Sequence, residues 1–145
     1  MGLVKRDGEG VFLNSCNQGD GESCFLLASL YYAGGGVARD WERSAALFRQ
    51  SCDAGWPRGC GGLGELYKAA QPVLAIGYFE RACKAGIAAS CYAVGVLYRA
   101  RNDEALAARR LRQACEASLR AATDNAGYFH AGAIEPEAAV PFCGQ

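Results

Sequence analysis

Apolar and small residues recur along the chain in a fixed order. Cys16 and Cys24 are followed by Leu27, Ala28 and Tyr31, and Cys52 and Cys60 by Leu63, Gly64 and Tyr67. Cys83 and Cys91 are followed by Val94, Gly95 and Tyr98. Offsets of three, four and seven from the second cysteine place these side chains on one face of a helix. Phe12, Phe48, Phe79 and Leu111 each stand four residues before the first cysteine of a unit. A fourth, eroded copy starts at Cys115. Thr123 stands there for the second cysteine, Ala126 and Gly127 follow, and His130 takes the tyrosine slot. First cysteines are 36, 31 and 32 residues apart. Self-similarity at this period predicts an all-α fold, an α/α solenoid of helical hairpins.

Each hairpin has an A helix that starts near the second cysteine and a B helix that ends near the next first cysteine. The pattern predicts A helices at about 22–33, 58–69, 88–100 and 119–132, and B helices at about 41–54, 72–85 and 103–116. Asp40 and Asp103 fill N-cap slots. Pro72 suits a first helical turn, and Gly55 suits a helix stop. Residues 3–16 read as a B helix without its A partner, starting late because Gly8 and Gly10 weaken it. The array takes up residues 1–133. Residues 134–145, with Pro136 and Pro141, read as an irregular tail that caps it. The unpartnered N-terminal end either continues into a longer array or offers a surface for homodimerisation.

Charge excludes some partners. Fifteen basic residues balance fifteen acidic ones, and no basic run marks a nucleic-acid footprint. No apolar run approaches the roughly 20 residues needed to cross a bilayer, so no membrane insertion is expected. Eight cysteines in 145 residues favour a disulfide framework in an oxidising compartment, periplasmic or secreted, over the cytoplasm. Zinc knuckles of the Cys-x2-Cys type are missing, so neither a metal nor another cofactor is expected. The opening Met1-Gly-Leu-Val-Lys-Arg6 shows no apolar signal core.

Within each unit the two cysteines flank a turn between antiparallel helices. This pairs Cys16 with Cys24, Cys52 with Cys60 and Cys83 with Cys91. Closing such a nine-residue loop contributes about 2.6 kcal/mol by the loop-entropy estimate. Cys115 lost its partner at Thr123, and Cys143 is left over. Their pairing would fold the tail back over the last hairpin.

The A-helix core face fixes its opposite. At 100° per residue that face falls two before the second cysteine and one, five and eight after it. It carries Phe25, Ser29 and Tyr32 in the first repeat, and Glu65 and Lys68 in the second. It carries Tyr92, Val96 and Arg99 in the third, and Tyr128 in the last. Tyrosine and arginine are frequent binding anchors. Catalysis is less well supported. His130 sits in a tyrosine core slot, Ser-x-x-Lys and Cys-x-x-Cys are missing, and bridged sulfurs are not nucleophiles.

The Leu/Val-Gly/Ala-x-x-Tyr pattern, the Gly34-Gly-Gly-Val37 loop, Asp40 and the Ala82-Cys-x-Ala-Gly86 end of an Ala-rich B helix resemble the Sel-one-like repeat (SLR) family, relatives of the tetratricopeptide repeats. The Cys-x7-Cys spacing looks like its cysteine-rich branch, typified by the Helicobacter cysteine-rich proteins. The resemblance covers about residues 10–133. It departs at the shortened loops of repeats two and three, at Thr123 and at His130. It implies a right-handed superhelix whose A helices line a concave groove, a scaffold or adaptor that grips an extended peptide, a chain terminus or a protein partner. It also carries an alternative, since some cysteine-rich bacterial members are associated with penicillin binding and weak β-lactam hydrolysis. Another cysteine-rich relative is an assembly factor of the mitochondrial intermembrane space.

Overall fold

The computed structural model describes residues 2–124 and Cys143, with side chains for residues 9–121 and Cys143. Among the described residues there are seven helices and no strand: α1 (Gly2–Asn17), α2 (Gly21–Ala33), α3 (Trp41–Asp53), α4 (Pro57–Tyr67), α5 (Pro72–Lys84), α6 (Ala88–Ala100) and α7 (Glu104–Asp124). The chain forms two compact units, Met1–Tyr78 and Phe79–Gln145. Odd-numbered helices are of the B type, and α2, α4 and α6 are A helices.

Three B-to-A junctions share one construction. Gly19, Gly55 and Gly86 each lie three residues after a first cysteine, with φ of 94°, 91° and 95°. This left-handed region strains any residue with a Cβ. The amide of each glycine donates to the carbonyl of that cysteine at 2.9, 3.1 and 2.9 Å. The next amide reaches one residue further back, from Asp20 to Ser15, Trp56 to Ser51 and Ile87 to Ala82. These paired bonds satisfy the last carbonyls of the B helix and reverse the chain in a Schellman turn. The reversal brings the cysteine pairs together, with Cα atoms 4.6, 4.7 and 4.5 Å apart in Cys16–Cys24, Cys52–Cys60 and Cys83–Cys91.

The A-to-B turns vary in length around one constant bond. The carbonyls of Tyr31, Tyr67 and Tyr98 accept from the amides of Asp40, Gln71 and Asp103, the residue just before each B helix. The turns span nine, four and five residues, and the repeat lengths of 36, 31 and 32 differ by the same amounts. Asp40 and Asp103 cap their helices as expected, accepting from the amides of Arg43 and Leu106 at 3.1 Å each. Pro72 opens α5.

The core follows the predicted stripe. Cys24, Leu27, Ala28 and Tyr31 are buried, as are Leu63, Val94, Phe48, Phe79 and Leu111. Two buried serines join them from α3. Ser44 Oγ donates to the Ala28 carbonyl at 2.8 Å and Ser51 Oγ to the Gly21 carbonyl at 2.7 Å. Close helix approach needs small residues. A Cβ on Gly59 would lie 2.5 Å from Ser51 Oγ, and one on Gly95 would lie 2.9 Å from the Leu111 side chain.

Two expectations need correction. α1 begins at Gly2 rather than late. Each mid-helix glycine costs about 1 kcal/mol, but packing holds the helix further along. Cys16 is fully buried, and Glu9 accepts a hydrogen bond from the Tyr31 hydroxyl. The predicted break near residues 117–118 does not occur, and α7 runs unbroken from Glu104 to Asp124. Cys115 lacks the glycine that ends the other B helices. Ser118 stands three residues after it, and a serine stays right-handed, so the helix continues. Cys115 therefore lies inside a helix and is bridged to Cys143. The predicted A helix beyond residue 124 and the tail before Cys143 fall outside the described residues.

Two substitutions test this junction rule. Gly86→Ala should cost about 1–2 kcal/mol, read as a fall of several degrees in Tm. Ser118→Gly should shorten α7 and weaken the helical circular dichroism signal at fixed disulfide content.

Candidate functional site

The outward faces of the A helices carry the predicted binding side chains, and the structure sorts them. On α2, Tyr32 is 43% exposed. Its ring lies 6.4 Å from that of Trp41, with planes 21° apart. Phe25 turns inward instead, its ring 5.7 Å from that of buried Phe48. Ser29 is half-buried, and its hydroxyl donates to the Phe25 carbonyl at 2.9 Å. Phe25 and Ser29 thus support the helix more than they face solvent. Glu65 of α4 and Lys68, just past its end, pair with each other at 2.7 Å on the surface. Such an exposed pair contributes about 0.2–1 kcal/mol.

In the second unit, Tyr92 and Val96 stand one helical turn apart on α6, 48% and 46% exposed. Arg99 continues their line and meets Glu104 at 3.5 Å. Tyr128 lies outside the described residues.

Exposed apolar residues also lie off the predicted face, among them Val11, Val73 and Leu74 on B helices. Trp41 is 59% exposed and Leu26 is 36% exposed. Trp41 directly follows the N-cap Asp40, so it belongs to a B helix that the A-helix periodicity does not reach. Its signal is a large aromatic in a first helical turn, where core residues have not yet begun.

Tyrosine hydroxyls hold charge on the inner side. Tyr31 donates to Glu9 at 2.5 Å, and the Arg43 guanidinium lies 4.8 Å from the centre of its ring. Burial, and then the hydrogen bond to Glu9, push the Tyr31 phenol above its ordinary value. Burial and the neighbouring Glu80 carboxylate push Tyr98 the same way. Arg110 grips Glu80 with two bonds, Nε to Oε1 at 2.6 Å and Nη2 to Oε2 at 2.8 Å. That hydrogen bonding holds the guanidinium charged more firmly than usual.

Solved structures share this fold. A protective antigen of uropathogenic Escherichia coli that displays an SLR fold superposes with a TM-score of 0.71 at 25% identity, over 92% of this chain. A Sel1 repeat protein from Oxalobacter formigenes superposes with a TM-score of 0.61 at 24% identity, over 75% of this chain and 92% of its own. The chain has the Sel1-like repeat fold. No protein-family model matches it, and no curated protein matches it significantly. It spans 32% of the length of the E. coli antigen. The bridges Cys16–Cys24, Cys52–Cys60, Cys83–Cys91 and Cys115–Cys143 fit the cysteine-rich branch of Sel1-like repeats. They also fit an oxidising compartment. Among the described residues no helix is long and apolar enough to cross a membrane. The Sel1-like fold is that of a helical-repeat interaction scaffold.

The phenols give a pH signature. Raised folded-state values mean that Tyr31 and Tyr98 stabilise the fold fully below the unfolded value near 10, and less as pH climbs through their folded values. Stability measured in denaturant should therefore decline above about pH 10. Absorbance at 295 nm should show Tyr31 and Tyr98 ionising above the ordinary tyrosine value.

Proposed function

We propose that the chain is a periplasmic or secreted interaction module that holds an extended peptide or a chain terminus of a partner protein on the outward faces of its A helices. Tyr32, flanked by Trp41, anchors the partner on the first unit. Tyr92 and Val96 do so on the second, with Arg99 beside them. Phe25 and Ser29 steady the α2 platform, and Glu65, Lys68 and Tyr128 complete the set read from the sequence.

One observation carries this reading. Large apolar side chains stay exposed on helices whose other face already fills the core. Grouped exposed apolar residues of this kind mark interaction sites, and aromatic and arginine side chains are the usual anchors within them. The Sel1-like fold adds support, since helical-repeat scaffolds work by holding partners. The β-lactam alternative draws on the family resemblance alone.

Affinity capture on immobilised, oxidised protein tests the proposal. Tyr32→Ala and Tyr92→Ala should each abolish retention of the captured partner. Their Tm values should stay within about 2 °C of the parent, because exposed side chains away from the core change stability little. A larger fall would place the ring in the core and overturn its role as an anchor.

A further inference from the structure

The repeat defines what a B helix buries. Eight, four and one residues before the first cysteine stand Ser44, Phe48 and Ser51 in α3, Ala75, Phe79 and Ala82 in α5, and Ala107, Leu111 and Ala114 in α7. None is more than 6% exposed. The residue five before the cysteine extends the stripe in α3, where Leu47 is 7% exposed. In α3 much of the cover comes from the preceding A helix. Ala28 and Gly21 of α2 accept the two serine hydroxyls, and Phe25 meets Phe48. In α7 the cover includes α6, whose Gly95 lies against Leu111.

α1 carries the same register in Gly8, Val11, Phe12 and Ser15. It packs against α2, the A helix that follows it. Val11 is 62% exposed, and Phe12 and Ser15 are half-buried where their counterparts are sealed. Gly8, Val11, Phe12 and Ser15 bear no charge.

We propose that this face of α1 is a docking surface for one A-type helix, separate from the outward faces described above. The occupant is an amphipathic helix with leucine or valine, then glycine or alanine, then tyrosine three residues later, as in Leu27-Ala28-x-x-Tyr31. The interface continues the α2–α3 and α6–α7 interfaces by one register. Val11 fills the place of Leu47. Ser15 Oγ donates to the second lone pair of a carbonyl in the occupant's first turn, as Ser51 donates to Gly21. The small residue lets the two backbones approach, and the uncharged face rejects a helix that presents a charged stripe.

A graft tests the assignment. Val4 lies twelve residues before Cys16, as Asp40 lies twelve before Cys52. A copy of residues 21–40, with serine for its cysteine, is therefore joined ahead of Lys5. The grafted chain should melt at least about 3 °C higher than the parent, the shift that about 1 kcal/mol gives in a protein this size. Val11→Asp should remove most of that gain and leave the ungrafted chain within about 2 °C of its own Tm. No gain, or an equal loss in both chains, overturns the proposal. A second arm does not depend on folding of the graft. A synthetic peptide of residues 21–33 with Cys24→Ser, added to the full chain, should slow amide exchange in α1, and Val11→Asp should abolish that protection. No protection overturns the proposal. So does a parent chain that light scattering shows to be a dimer split by Val11→Asp, because a second copy would then occupy the face.

Discussion

A backbone conformation that glycine alone adopts without strain organises this molecule. At Gly19, Gly55 and Gly86 the chain enters the left-handed region, closes two hydrogen bonds onto the end of a B helix and turns back. Only after that reversal does the cysteine eight positions on meet the one that opened the turn. The sulfur bridge locks a geometry the turn has already set, and each loop it closes is short. Stability in a repeat array is built from neighbour contacts. Every such bridge therefore acts where one hairpin meets the next.

The tyrosine at the other end of each A helix has two roles. Its carbonyl receives the residue that starts the next B helix. In two repeats its ring reaches sideways to carboxylates of the preceding B helix and arginines of the following one, Glu9 and Arg43 around Tyr31, Glu80 and Arg110 around Tyr98. One side of the A helix is thereby fully engaged in holding three helices in order. On the other side Tyr32, Tyr92 and Val96 are exposed.

Most of the helices are legible because cysteine, small residue and tyrosine recur at helical offsets, and local bridges follow from that spacing. The Cys115–Cys143 bridge is legible too, by elimination. The break expected in α7 fails because the cysteine and tyrosine slots do not decide it. The glycine does, and Ser118 holds that position. Ser44 and Ser51 are hard to read because a polar residue in a buried stripe looks like an interruption until its hydroxyl is seen to find a carbonyl. Phe25 points outward by its angle on the helix, but an aromatic ring is long enough to swing from that angle onto Phe48. Trp41 is invisible to a helical wheel that covers A helices only.

The turns after Tyr31, Tyr67 and Tyr98 absorb all the variation in repeat length while one hydrogen bond keeps the register. Residues can be gained or lost there without re-phasing the helices on either side. A gap at such a turn is silent in three dimensions, whereas at a Schellman turn it would pull a sulfur pair apart. A fixed period laid along this chain drifts out of phase through these silent gaps, while anchoring on Cys-x-x-Gly keeps its first three junctions in step.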